Sequence, residues 1–173
     1  MRISLIIPLV ALGGVIAAGQ QSDEVSNLVG RLFPSVTDIS TRRGADPPHF
    51  KVFGARPGAQ PGALVGFVLW TTELEPLERG YEGPIKVLVG MDTQGRLTGV
   101  VVADNNEPYG YFSIDRPEFA AQFRGKSIRD RFRVGSDVDA VARATITVSS
   151  ATRAIKNSAR RVARQLLSPA DVQ

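Results

Sequence analysis

The sequence predicts an α+β fold: a mostly antiparallel sheet with flanking helices, in a single domain. Three observations predict it. An apolar, β-prone run at 63–72 precedes a tight hairpin at 85–103. Helical periodicities stand before and after these strands rather than between them. The resulting order (helix, strands, hairpin, helix, helix) segregates the two element types, as α+β folds do.

Each element has its own signal. Ser22 opens a helix pattern, with Asp23 and Glu24 where the helix dipole favours acids. Val25, Leu28, Val29, Leu32 and Phe33 recur at helical spacing, and Pro34 ends the run. Residues 41–62 are dense in Gly and Pro and predict loops around one short strand near His49 to Phe53. Ala63 to Thr72 predicts a buried strand. Ile85, Val87, Val89 and Met91 then alternate with their neighbours, Asp92-Thr93-Gln94-Gly95 supplies a turn, and Leu97 to Ala103 returns. A loop follows from Asp104 to Ile114. Asp115 and Glu118 have capping-box spacing for a short helix, with Phe119 and Phe123 on its inner face and Gly125 closing it. The segment Ser127 to Val134 leads to a final helix expected over Ser150 to Leu167, with Ala151, Ile155, Ala159, Val162 and Leu166 on one face.

Bulk properties bound the function. Arg2 precedes an apolar run from Ile3 to Ala18, and Ala17 and Gly19 suit the small positions of a signal-peptidase site. The run falls short of the roughly 20 residues of a membrane span, so residues 1–19 read either as a signal peptide or as an N-terminal anchor. Both predict export, with a domain over 22–168 and a short tail at 169–173. The remaining chain is long enough for one proper core. Zero cysteines exclude disulfides, iron–sulfur clusters, thiol catalysis and Cys-ligated metals. A net charge of +4 does not by itself indicate nucleic-acid binding.

Most catalytic constellations fail. His49 is the one histidine and has no matching carboxylate pattern, which predicts a surface or packing role and no metal site. There is no nucleophile elbow, Walker loop or GxGxxG. Arg153, Lys156, Arg160 and Arg164, with Arg161 beside them, form a basic stripe on the last helix. Its default reading is a solvated face, with membrane-surface or acidic-partner docking as the alternative. Interleaved aromatics do not occur in it, which counts against nucleic acid.

One stretch stands out. Asp139 to Thr152 reads DAVARATITVSSAT and places the Thr145 hydroxyl in a polar run just ahead of the last predicted helix. Unpaired amides and the positive end of the dipole favour a phosphate there. A strand end followed by an ordinary Ser-capped helix explains the same residues.

The loop ADNNEPYGYFSID and the motif about thirty residues later, read together, resemble the FMN-binding domain family. Its members include the flavin subunits of sodium-pumping NADH:quinone oxidoreductase and of the Rnf complex. The periplasmic flavin domain of the nitrous-oxide-reductase regulator type is the closer likeness. LFPSVTDI, GADPP, GYEGPIKVLVGMDTQGRLTGV, NNEPYGYF and FRGKSIRDRF extend the resemblance over most of the mature chain. It implies FMN as cofactor, esterified through its phosphate to Thr145 by a flavin transferase that uses FAD and a divalent metal. Asp139, Ala144 and Thr145 match the family's Asp-x-x-Ser/Thr-Gly-Ala-Thr motif, while Ala142 and Arg143 depart from it. Thr147 fits a second Thr or Ser common in the family. A neighbouring Arg143 could pair with the phosphodiester anion. Glu107, Pro108 and Gly110 match a loop that lies over the flavin, and Tyr109 or Tyr111 suits stacking on a flat ring system.

The function so implied is an exported electron-transfer module, one component of a larger system rather than a stand-alone enzyme, with redox partners in or at the membrane and no nucleic acid. A flavin-free binding, assembly or regulatory domain for a periplasmic oxidoreductase is the alternative.

Overall fold

The structure is a computed structural model that describes residues 25–40, 46–55, 57–58 and 60–170. The predicted leader and the first turn of the opening helix lie outside the described residues. Helix α1 (25–32) is followed by β1 (Val36–Ile39), β2 (Phe50–Gly54), β3 (Ala63–Trp70) and the one-turn α2 (Thr71–Leu74). Then come β4 (Lys86–Asp92), β5 (Leu97–Asp104), a 3₁₀ turn (Gly110–Phe112), α3 (Pro117–Ala121) and α4 (Thr145–Leu166). The five strands pair in sequence order, every neighbour antiparallel. The fold is therefore α+β with an antiparallel meander, as the sequence predicts.

Strand alternation divides the core into two layers. Leu69 sits opposite Val89, and Val89 opposite Val100. All three face the layer that holds Phe123, Val148, Ile155, Ala159 and Val162 from the helices. One residue out of phase, Trp70 pairs with Leu88 and Leu88 with Val101. These point to the opposite layer, where α1 delivers Val25, Val29, Leu32 and Phe33. A continuous apolar strand such as ALVGFVLW is what a sheet buried on both faces requires.

Four local expectations differ from the structure. The strand β1 is not anticipated by its sequence: VTDI is short, half-exposed and at the sheet edge. Thr71 and Thr72 turn into α2 instead of extending β3, and the Thr71 hydroxyl donates to the Ile85 carbonyl and accepts the Val87 amide of β4, both at 3.0 Å. Asp115 does not cap α3. The cap position is Arg116, no side chain caps the helix, and Asp115 instead accepts from Asn105 Nδ2 at 2.8 Å. Finally, α4 begins five residues before the expected Ser150. Ser150 is buried inside it rather than capping it. Burial of Val148, Ala151 and Ile155 against the sheet outweighs the weak helix propensity of a Thr- and Ser-rich stretch.

His49 is a packing residue. It is buried, lies edge-on to Phe67, and has Nδ1 at 2.6 Å from the Pro47 carbonyl oxygen.

Candidate functional site

Thr145 is the first residue of a 22-residue helix, and its side chain is exposed. The residue before it, Ala144, is buried at the cap position and offers no capping atom. Helix geometry leaves the first amides of α4 without intrahelical partners, and the cap residue supplies no side-chain hydrogen bond to them. A hydroxyl beside unpaired N–H groups at a positive dipole end is a donor set that suits a phosphate.

The approach to this terminus is unusual. Arg143 has φ of +69°, the left-handed region that L side chains avoid. Ala144 N–H donates to the Val141 carbonyl at 3.1 Å, closing a turn that reverses the chain into α4. Arg143 therefore stands where the geometry favours glycine, which is also where the resembling motif carries one. Its side chain is exposed.

Glu107 fastens the site. Its carboxylate accepts from the amides of Tyr81 at 2.9 Å, Glu82 at 2.9 Å and Gly83 at 3.4 Å, and from the Thr147 hydroxyl. Glu107 and Thr147 are both buried. Burial pushes the Glu107 carboxyl up, but the Thr147 hydroxyl and the three amides outweigh it and hold the group below the ordinary glutamate range. Gly80 makes room: a Cβ there would collide with the Glu107 carboxylate. Three segments thus meet at one charge: the 75–84 loop, the 105–111 loop and the first turn of α4.

The 105–111 loop is itself tied down. Asn105 Oδ1 accepts the Glu107 amide at 3.0 Å while its amide nitrogen donates to Asp115. Gly110 packs so closely on both that a Cβ would strike the Asn105 oxygen. The Ser113 hydroxyl donates to the Tyr109 carbonyl at 2.6 Å. Pro108 is exposed. Tyr109 and Tyr111 both lean on Phe112, at 5.5 Å and 5.0 Å between ring centroids, and Tyr111 remains 72% exposed.

Of the residues singled out in the sequence, the structure brings Glu107 and Thr147 into direct contact and sets Thr145, Ala144 and Arg143 beside them. Asp139 stands apart. It is exposed, and its amide donates to Gln122 Oε1 at 2.6 Å. Sequence reasoning misses Tyr81, Leu77 and Ile146. Among the described residues, the large hydrophobic side chains left exposed are Leu77, Tyr81, Tyr109, Tyr111 and Ile146. All five belong to the three segments that Glu107 joins. The apolar surface that the fold leaves uncovered is therefore gathered around the Thr145 terminus, and its aromatic content suits a flat, apolar ring system.

Phosphate-compatible donors beside an exposed aromatic rim fit a flavin mononucleotide. Comparison with known proteins agrees. The FMN-binding domain family matches residues 80–160, which hold Glu107, the 105–111 loop and α4 as far as Arg160. One component of the Na(+)-translocating ferredoxin:NAD(+) oxidoreductase complex of Acetobacterium woodii is 27% identical over 109 residues, covering 58% of this chain and 51% of that protein. The chain thus spans about half the length of that relative. Over residues 80–160 this chain carries an FMN-binding domain, with FMN as its cofactor, related to the flavin subunits of Rnf-type complexes.

Proposed function

We propose that the chain is an exported flavoprotein module that holds FMN on Thr145 and relays electrons in a membrane-associated respiratory pathway. The observation that carries this reading is the exposed Thr145 hydroxyl at the uncapped start of α4, inside the segment that matches the FMN-binding family. Thr145 Oγ1 would bear the phosphate, the first-turn amides would face its charge, and Tyr81, Tyr109 and Ile146 would lie against the ring. Bound FMN supplies reversible redox chemistry. The protein positions it and excludes water, and no side chain need serve as acid or base. Attachment by a flavin transferase breaks the pyrophosphate bond of FAD and forms a P–O ester on Thr145. AMP leaves, and the hydroxyl proton passes to the transferase.

The apolar run Ile3–Ala18 supports export, and a tether has physical value there. A noncovalent cofactor lost outside the cytoplasm is not replaced, whereas a phosphodiester retains it. The similarity to a component of an oxidoreductase complex supports redox partners in or at the membrane.

Arg143 favours a second reading, in which FMN is bound without the ester, because a charged side chain at positive φ replaces the motif's glycine at a transferase-recognition position. One experiment separates the two. The full chain is co-expressed with a flavin transferase, denatured, and inspected for in-gel flavin fluorescence and for the mass of the peptide containing Thr145. Fluorescence and added FMN mass that disappear in Thr145→Ala support the flavoprotein. An unmodified peptide from a competent host overturns covalent attachment and leaves noncovalent FMN.

A further inference from the structure

The basic stripe of α4 is not a uniform solvated face. Arg153 is taken by Glu78 at 2.7 Å, and Arg161 by the Leu74 carbonyl at 3.0 Å and Asp46 at 3.8 Å. Arg160 behaves differently. Its guanidinium donates to the carbonyls of Ile128 at 2.7 Å and Asp130 at 2.8 Å, neutral acceptors that fix its position without cancelling its charge. These bonds seat the loop at 128–131 on the C-terminal half of α4. Arg129 and Arg164 are thereby brought beside Arg160 around a concavity of about 420 Å³, whose remaining walls are Ile128 and Pro169.

Charge there is unbalanced. Arg129 and Arg164 are exposed, and among the described residues neither is ion-paired. Exposed Arg131 and Arg133 continue the same loop. Two carboxylates lie close by: Asp137 is ion-paired with Lys126 and held by the amides of Phe132 and Arg133, and Asp130, which accepts the Ser127 amide at 2.9 Å, keeps its charge but is outnumbered by Arg129, Arg131, Arg160 and Arg164. Guanidinium groups converging on a shallow, partly apolar concavity match a phosphodiester with a glycerol backbone better than a free ion, because Ile128 and Pro169 offer no hydrogen bonds.

We propose that this concavity is a docking site for the headgroups of anionic phospholipids, which seats the domain on a membrane by the C-terminal half of α4. This rests on the reading that the chain works at a membrane. It adds an orientation: Thr145 lies about 30 Å along α4 from Arg164, so the flavin end is held off the lipid. Juxtamembrane arginines gain from an anionic surface potential that decays within a Debye length, so the contact is short-ranged and salt-sensitive.

The chain contains no cysteine, so single labels are simple to place. Full-length Pro169→Cys and Ala142→Cys, each carrying a fluorophore, are reconstituted into phosphatidylcholine vesicles or into vesicles with roughly one-third phosphatidylglycerol, a strongly anionic surface. A nickel-chelating lipid in both vesicles captures an N-terminal histidine tag and so holds the domain at either surface. Acrylamide, a neutral quencher, reads exposure. The expected result is severalfold weaker quenching at position 169 on phosphatidylglycerol, reversed by high salt and lost in Arg129→Glu/Arg164→Glu, with position 142 unchanged. Equal quenching on both vesicles overturns the proposal and leaves the arginines to an acidic protein. Protection produced on phosphatidylcholine by inorganic phosphate or glycerol phosphate alone also overturns it, in favour of a soluble phosphate ligand. Flavin plays no part in the readout, so failure of the flavin assignment would not affect it.

Discussion

The buried Glu107 carboxylate accepts the hydroxyl of Thr147, 40 residues further along the chain, and in doing so joins the loop after β5 to the first turn of α4. Three amides from the 81–83 turn complete its shell. A carboxylate so surrounded supports a rigid platform for the neighbouring Thr145.

Removing that centre should cost stability. Glu107→Ala leaves a buried hydroxyl, the buried Gly83 amide and two part-buried amides without their acceptor and should destabilise by about 2–3 kcal/mol, while Thr147→Val should cost about 1–2 kcal/mol. Because the two groups share one hydrogen bond, the double variant should lose less than the sum. Urea unfolding of the four proteins checks it. Additive losses would show that the contact carries no energy.

The same carboxylate predicts an acid-sensitive fold. Its pKa is lowered on folding, so its contribution is fully present above the unfolded value and is lost as pH falls through the folded one. Glu78, held down first by its hydrogen bond to Arg153, and Asp137 change in the same direction. Stability should therefore be flat near neutrality and decline below about pH 4.5, the ordinary carboxylate range. Glu107→Gln should start lower at pH 7 and decline less steeply. Urea midpoints across pH 7 to 3 supply the test, and parallel acid limbs would exclude Glu107 as a contributor.

Arg143 gives a conformational prediction. At φ of +69°, glycine escapes the steric cost that an L side chain incurs, about 1 kcal/mol, although its greater freedom when unfolded offsets part of the gain. Arg143→Gly should be neutral or mildly stabilising. Arg143→Val, β-branched in the same backbone, should lose about 1–2 kcal/mol. Thermal unfolding of both variants measures this. Arg143→Gly should also raise flavin loading on co-expression with a transferase. A fall would instead assign the guanidinium to pairing with the phosphate.

Legibility in the sequence follows the range of the interactions. The hairpin from Lys86 to Asp104 can be read because alternation and an Asp-to-Gly turn are local signals. Strand β1 cannot, since a half-exposed edge strand buries too little to leave a pattern. The start of α4 is hard to place because Thr145, Thr147 and Ser150 look like cap and turn residues, and only the sheet beneath them makes the helix favourable. Thr145 is visible through a motif. The partnership of Glu107 with Thr147 has no local signal, because topology alone brings an acid in one loop to a hydroxyl in a distant helix. The exposed apolar rim is hidden for the same reason: Leu77, Tyr81 and Ile146 become one surface only after folding.

The two threonines on either side of Ile146 should separate chemistry from architecture. Thr145 is exposed and has no packing role, so Thr145→Ala should change stability by no more than about 0.5 kcal/mol. It should nevertheless remove all covalent flavin. Thr147→Val retains the acceptor hydroxyl at 145 but loosens the helix start from Glu107, so it should unfold earlier and load flavin slowly rather than not at all. Intact-protein mass after timed co-expression, with urea midpoints alongside, distinguishes the outcomes. Flavin retained in Thr145→Ala and lost in Thr147→Val would move the attachment point to Thr147 and would make the Glu107 contact a property of the apo protein alone.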